Sequence, residues 1–416
     1  MNYTILKGNI VSSTALNQLE ITENGYLVAA DGIIQGVFAT LPEAYEGHVV
    51  QDYRQKLIVQ SFSDLHLHAP QYPMIGLGMD LPLLDWLNTY TFPLEARFAD
   101  NDYARKIYRQ LAQELIANGT TRVCMFSSLH REATLILMEE LENAGVTGYV
   151  GKVNMDRNSG DVLQETTEQS MAETALWLEQ CEKFEHIHPM ITPRFTPSCS
   201  DELMAYLGKL AQEKNLPIQS HLSENDKEIA WVQELHPDCE QYWQSYAKYG
   251  LWNDKTVMAH CVWSDERERK AMKDAGVTVA FCANSNTNIC SGVTPVRAML
   301  NEGLQVGLGS DIAGGHQIEM HQVIASTIAT SKHTTMTNGA PCLTVAEGWY
   351  LGTSGGSEFF GEQAGFAKGN PLHALVIDDS HLPQVDSVEA RFERSIYRRQ
   401  TGAITAVWSA GRKVLG

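Results

Sequence analysis

The sequence predicts an α/β protein: a parallel (β/α)8 TIM barrel with a small β-sandwich domain formed from both chain termini. Three observations predict it. Eight short apolar runs between residues 59 and 368 are each followed by a helical pattern or a long loop. Residues 1–58 and 369–416 read instead as short strands punctuated by turn dipeptides. No GxGxxG or GxxxxGK[ST] follows a strand, which argues against a doubly wound sheet.

Taken in order, TILKGNIVSS, GYLVAADGIIQGVFA and HVVQDYRQKLIVQ supply the N-terminal strands, with Asp31-Gly32 as a tight turn. The barrel opens at SDLHLHAPQY, residues 63–72. There Leu65 and Leu67 alternate with His66 and His68, and a strand's period of two turns both imidazoles to one side. LPLLDWLNTYTFPLEARF, residues 81–98, reads as an amphipathic covering helix packed through Leu84, Trp86 and Leu87, with a cap over the pocket as the alternative role. TTRVCMF then precedes the helix REATLILMEELENAG, and GYVGKV is the third strand. IHPMITPRF precedes DELMAYLGKLAQEKN, PIQSHLSE precedes ENDKEIAWVQEL, and KTVMAH precedes DERERKAMKDAG. VTVAFCANSN and LQVGLGSD complete the eight strands, and HALVIDD and GAITAVWSAGRKVL rejoin the N-terminal ones. The expected domains are 1–58 with 369–416, and 59–368.

Composition narrows the function. A chain of 416 residues, 44% hydrophobic, can bury one large core and a smaller one. Its net charge of −19 disfavours nucleic acid and anionic membrane as partners. The N-terminus lacks the basic and apolar regions of a signal peptide, and no apolar run reaches a membrane-spanning length of about 20 residues. Eight scattered cysteines without a CxxC predict free thiols in a reducing compartment, the cytoplasm.

In such a barrel the C-terminal strand ends line the active site. Reading them off gives His66 and His68, then Arg194, His221, His260 and Asp311. Imidazoles with a carboxylate suit zinc or iron, and a metal so held activates water near neutral pH. Each residue also has a plain role: a polar strand face for the paired histidines, a core position for His260, a turn or helix cap for Asp311. Their coincidence at strand ends favours the shared site. Glu224, just past the fifth strand, is placed to shuttle a proton, and also favours the first turn of the next helix. His130-Arg131-Glu132 matches the HxE of the cytidine-deaminase-like zinc fold, but Pro341-Cys342 lacks the second cysteine of PCxxC. His130 is therefore expected in a loop.

HLHAPQY, PRFTPSCS, QSHLSEN, VMAHCVWS, CANSN and LGSDIAGG together resemble the amidohydrolase superfamily, and more narrowly its guanine deaminases. The resemblance runs from about residue 59 to the end of the barrel. It implies hydrolysis of guanine to xanthine and ammonia by a homodimer. His66, His68, His221 and Asp311 would bind one zinc per chain, iron being the alternative. Glu224 would carry protons, His260 would orient water and stabilise the transition state, and Asp311 would move the second proton. Gln71 and Arg194 would hydrogen-bond the purine edges beside His221 and Glu224, with Phe195 shaping the pocket. Gln60-Ser61 replaces the usual Pro-Gly, and Phe281-Cys282-Ala283-Asn284-Ser285-Asn286 replaces HCPNSN. HPMITPRF offers no lysine to bridge two metals, so a mononuclear centre is expected. Rival readings are an aminohydrolase of a triazine, cytosine, pterin or adenosine-type substrate, and a silent scaffold of the same fold. Retention of every proposed ligand disfavours the scaffold.

Overall fold

The computed structural model describes residues 2–160 and 162–416. Turn chemistry sets up the first strands. β1 (Tyr3–Ala15), β2 (Gln18–Ala30) and β3 (Ile33–Phe38) form an antiparallel meander. Its second turn is Asp31-Gly32, at φ of 49° and 83°, the left-handed geometry that a two-residue hairpin loop requires. β4 (Val50–Gln60) then pairs parallel to β1.

The chain next enters its parallel strands: β5 (Phe62–His68), β6 (Thr120–Phe126), β7 (Thr147–Gly151), β8 (Val153–Asn154), β9 (Ile187–Pro189), β10 (Thr192–Pro193), β11 (Ile218–Leu222), β12 (Thr256–His260), β13 (Thr278–Phe281) and β14 (Val306–Leu308). They form two four-stranded parallel sheets, β5-β6-β7-β9 and β11-β12-β13-β14, and the short pair β10-β8. Backbone hydrogen bonds bridge the two sheets on both sides. Gln219 N–H donates to Ile191 O (3.0 Å), Asp311 N–H to His66 O (2.8 Å) and His68 N–H to Ile312 O (3.1 Å). Helices Asn101–Ala117, Arg131–Ala144, Asp201–Lys214, Asp226–Leu235 and Glu266–Ala275 connect the strands. Asp100, Ser200, Asn225 and Asp265 cap four of them by accepting first-turn N–H groups. Every residue of β5 and β6 is buried, as strands covered on both faces should be.

β15 (Ala374–Ile377), β16 (Ile404–Ser409) and β17 (Arg412–Leu415) bring the C-terminus back to β4. One seven-stranded sheet results, in the order β17-β16-β15-β4-β1-β2-β3. Strand alternation splits its side chains. Leu27, Ala29 and Ile34 from one end share a buried cluster with Ala406 and Trp408 from the other, so the sheet bends around its own core. Val11, Leu57, Val59, Leu375 and Val407 point the other way, into the large core of the parallel strands.

The covering segment is not the single amphipathic helix expected. Leu83–Trp86 is α-helical, Leu87–Thr91 is π-helical, Phe92–Glu95 is α-helical and Ala96–Ala99 is a 3₁₀ turn. Pro93 lacks an N–H to donate, which interrupts a regular ladder at this point. The side chain of Leu84 lies outside the described residues. No helix among the described residues is long and apolar enough to cross a membrane.

Candidate active site

The imidazoles meet above the strand ends. His68 Nε2 lies 3.2 Å from His221 Nε2. Asp311 Oδ1 lies 3.3 Å from His66 Nε2 and 3.4 Å from His68 Nε2. Hydrogen bonding sets one tautomer: His221 Nδ1 is 2.6 Å from the Arg194 carbonyl. A carbonyl only accepts, so the proton sits on Nδ1 and Nε2 turns its lone pair to the cluster. His66 Nε2 and His260 Nε2, which face the cluster, are buried without a hydrogen-bond partner, an arrangement that needs an explanation in a packed interior. Burial pushes His66, His68 and His221 below the usual histidine range, towards the neutral form that ligates metals. Burial raises the Asp311 carboxyl, but the neighbouring His66 and His260 outweigh it and hold the group below the usual carboxylate range. Donor atoms of His66, His68 and His221, and of His66, His260 and Asp311, form two groups each within 4.8 Å, so the cluster could hold a metal ion. Converging lone pairs beside an ionised carboxylate fit a single divalent cation.

Four residues that turn the backbone out of these strands are left-handed: Ser223 at φ 48°, His260 at 71°, Cys261 at 50° and Asp311 at 47°. Such conformations cost about 1–3 kcal/mol each and persist where the surroundings hold them. His260 Nδ1 faces Asn286 Oδ1 at 2.8 Å, and Thr294 Oγ1 donates to the His260 carbonyl at 2.7 Å. Glu224 Oε2 lies 3.6 Å from His260 Nε2, and Ser291 Oγ donates to Glu224 Oε1 at 3.3 Å. Burial raises the Glu224 carboxyl to about 7, against the pull of His260. Glu228 supports it from one turn on, accepting the backbone N–H groups of Glu224 (3.1 Å) and Asn225 (3.2 Å) and the Tyr242 hydroxyl (2.7 Å). This is a capping box whose loop carries Glu224.

One cavity joins these groups to the remaining expected residues. It encloses about 590 Å³ including its mouth, and is lined by His68, Gln71, Arg194, Phe195, His221, Glu224, His260 and Asp311. His66 is buried behind it, 1% exposed. Leu83, Trp86, Leu87, Trp231 and Ile289 supply apolar walls. Of the residues unnoticed in the sequence, Glu95 and Asp64 matter most. Glu95 accepts from Arg194 Nη1 (2.6 Å), Arg194 Nη2 (3.1 Å) and Gln71 Nε2 (2.9 Å). Asp64 accepts the Ser310 N–H at 2.9 Å and its hydroxyl at 2.5 Å, tying β5 to the loop after β14. Asp64 stood within the histidine motif, whereas Glu95 lay in a segment that reads as a surface cover. His130 lies in the loop before helix Arg131–Ala144 and outside the cavity lining, with Nδ1 3.1 Å from Ser128 Oγ.

Comparison with known proteins agrees with this geometry. Residues 57–414 match the amidohydrolase family. The guanine deaminase of Dictyostelium discoideum is 35% identical over 439 residues, covering 99% of this chain and 98% of its own. That of Homo sapiens is 32% identical over 440 residues, covering 99% and 96%. The crystal structure of a guanine deaminase from C. acetobutylicum with guanine in its active site superposes with a TM-score of 0.97. It is 42% identical, covering 99% of this chain and all of that one. The chain belongs to the amidohydrolase family, within its guanine deaminase branch.

Proposed function

We propose that this protein hydrolyses guanine to xanthine and ammonia. The observation that carries the reading is a single cavity lined by His68, His221 and Asp311 of the His/Asp cluster, the Glu224–His260 pair and the Arg194–Gln71 edge. His66, His68, His221 and Asp311 would hold one zinc ion, which when bound supplies the Lewis acidity that makes water nucleophilic near neutral pH. Arg194 and Gln71 seat the base, and Phe195 with Trp86 walls it in. Glu224 takes one proton from the attacking water and delivers it to N3 as the oxygen bonds to C2. His260, oriented by Asn286, stabilises the charge that develops on the attacking oxygen. Asp311 moves the second water proton to the C2 amine, the C–N bond breaks, and ammonia leaves as the C2 carbonyl forms.

The wider reading has its own supports. Bridging of the two parallel sheets on both sides supports a closed (β/α)8 barrel over 59–368. The bent terminal sheet supports a sandwich domain of 1–58 and 369–416. Eight free cysteines support a cytoplasmic enzyme. The family resemblance supports a homodimer, which sedimentation tests. Turnover is tested by ammonia release from guanine and a panel of other heterocycles, with zinc and iron measured on the same sample. Rapid release from another heterocycle with none from guanine would overturn the assignment.

A further inference from the structure

The proposed chemistry leaves Glu95 without a part, yet Glu95 is 1% exposed and engages both residues of the substrate edge. Its carboxylate accepts both terminal nitrogens of Arg194 and the Gln71 amide nitrogen. The Gln71 amide oxygen in turn accepts the Ala313 N–H at 3.0 Å. A carboxylate cannot donate and a backbone N–H cannot accept, so the amide has one allowed orientation. On the side it shares with Arg194, Gln71 presents nitrogen, with one N–H still free. Arg194 has donors only, and its guanidinium carbon sits 5.4 Å from the Phe92 ring, on the same turn of the covering segment as Glu95.

We infer that Glu95 is a positioning residue that makes this edge of the cavity a set of donors and so sets substrate specificity. Such an edge takes a heterocycle that presents acceptors there, as a ring carbonyl does. An exocyclic amine at the same place would bring donors against donors and leave buried groups unpaired. The Arg194–Glu95 pair is also neutral in sum, which suits an uncharged lactam rather than an anion. The inference rests on the reading of the cavity as a guanine deaminase site, with Arg194 and Gln71 facing the base.

The test compares wild type, Glu95→Gln and Glu95→Asp, each with metal content measured. The probes are guanine and 2,6-diaminopurine, which keeps the C2 amine and replaces the 6-carbonyl by an amine. Glu95→Gln is expected to raise KM for guanine ~30-fold with kcat within ~3-fold, and to cut the preference for guanine ~10-fold. Glu95→Asp keeps the buried charge balanced, so it guards against misfolding of the first variant. One methylene shorter, it cannot span both partners, and KM should rise ~10-fold. A folded, metal-replete variant with wild-type KM and preference overturns the inference, as does a loss confined to kcat. Wild type that accepts the diamino analogue as readily as guanine overturns it without any variant. Wild type that releases no ammonia from guanine overturns the underlying reading and this inference with it.

Discussion

Glu224 and His260 face each other at 3.6 Å in a buried setting, and their environment separates their tasks. Asn286 fixes the His260 tautomer, while burial lifts the Glu224 carboxyl to about 7. Glu224→Gln should lower kcat by about 10²–10⁴-fold with metal content unchanged, because the side chain lies outside the donor cluster. The carboxylate is the form that accepts a proton, so wild-type turnover rises with pH through the neutral range. Residual activity of the variant should lack that acid limb in a kcat–pH profile. Asn286→Ala removes the acceptor that orients His260, and a loss of about 10–100-fold in kcat with metal retained is expected. Retention of wild-type kcat would remove Asn286 from the argument. Not every residue of this site was equally legible. His66 and His68 were, since two positions of one strand share a face by local geometry. Glu95 was not, because its partners stand 24 and 99 residues away. Nothing in its neighbourhood separates it from a solvent-facing acid.

Elements place these residues by where they end. β5, β11 and β12 stop at His68, Leu222 and His260; the chain leaves β5 in a 3₁₀ turn and leaves β11 and β12 through left-handed residues. β5 is tied to the loop after β14 through Asp64 and Ser310, 246 residues apart. Ser310→Ala removes the hydroxyl donor and leaves a buried carboxylate short of a partner, which should cost about 1.5–3 kcal/mol in urea unfolding. A change below about 0.5 kcal/mol would mean that the backbone N–H of Ser310 suffices. Strand and helix order followed from periodicity and capping residues, which act within a few positions. The covering segment defeated the same method. Its apolar pattern suggested one helix, but Pro93 and the need to deliver Phe92 and Glu95 to Arg194 produced a broken one.

At the scale of the whole molecule, the chain ends close one sheet beneath the parallel strands, distant from the cavity in function though joined to it in the core. Trp408 is 1% exposed inside that sheet. Trp408→Ala should destabilise the protein by about 3–5 kcal/mol and leave KM for guanine unchanged. A shifted KM would show that the terminal sheet also shapes the cavity. Chelation should abolish turnover and lower the thermal midpoint, with zinc restoring both; an ion at 1,000 times its dissociation constant contributes about 4 kcal/mol. A midpoint indifferent to chelator would count against a resident ion. Outside the covering segment, the sequence by itself determined the order of strands and helices and the chemistry carried at their ends. Those follow from side-chain period, turn residues and motif spacing, all short-range properties of the chain. Tertiary structure alone decided the strand order within the sheet that the two termini share, the tautomer of His221, and the locking of Arg194 and Gln71 by Glu95. Each depends on contacts between distant segments, whose energy exists only once burial has brought them together and removed water as the competing partner.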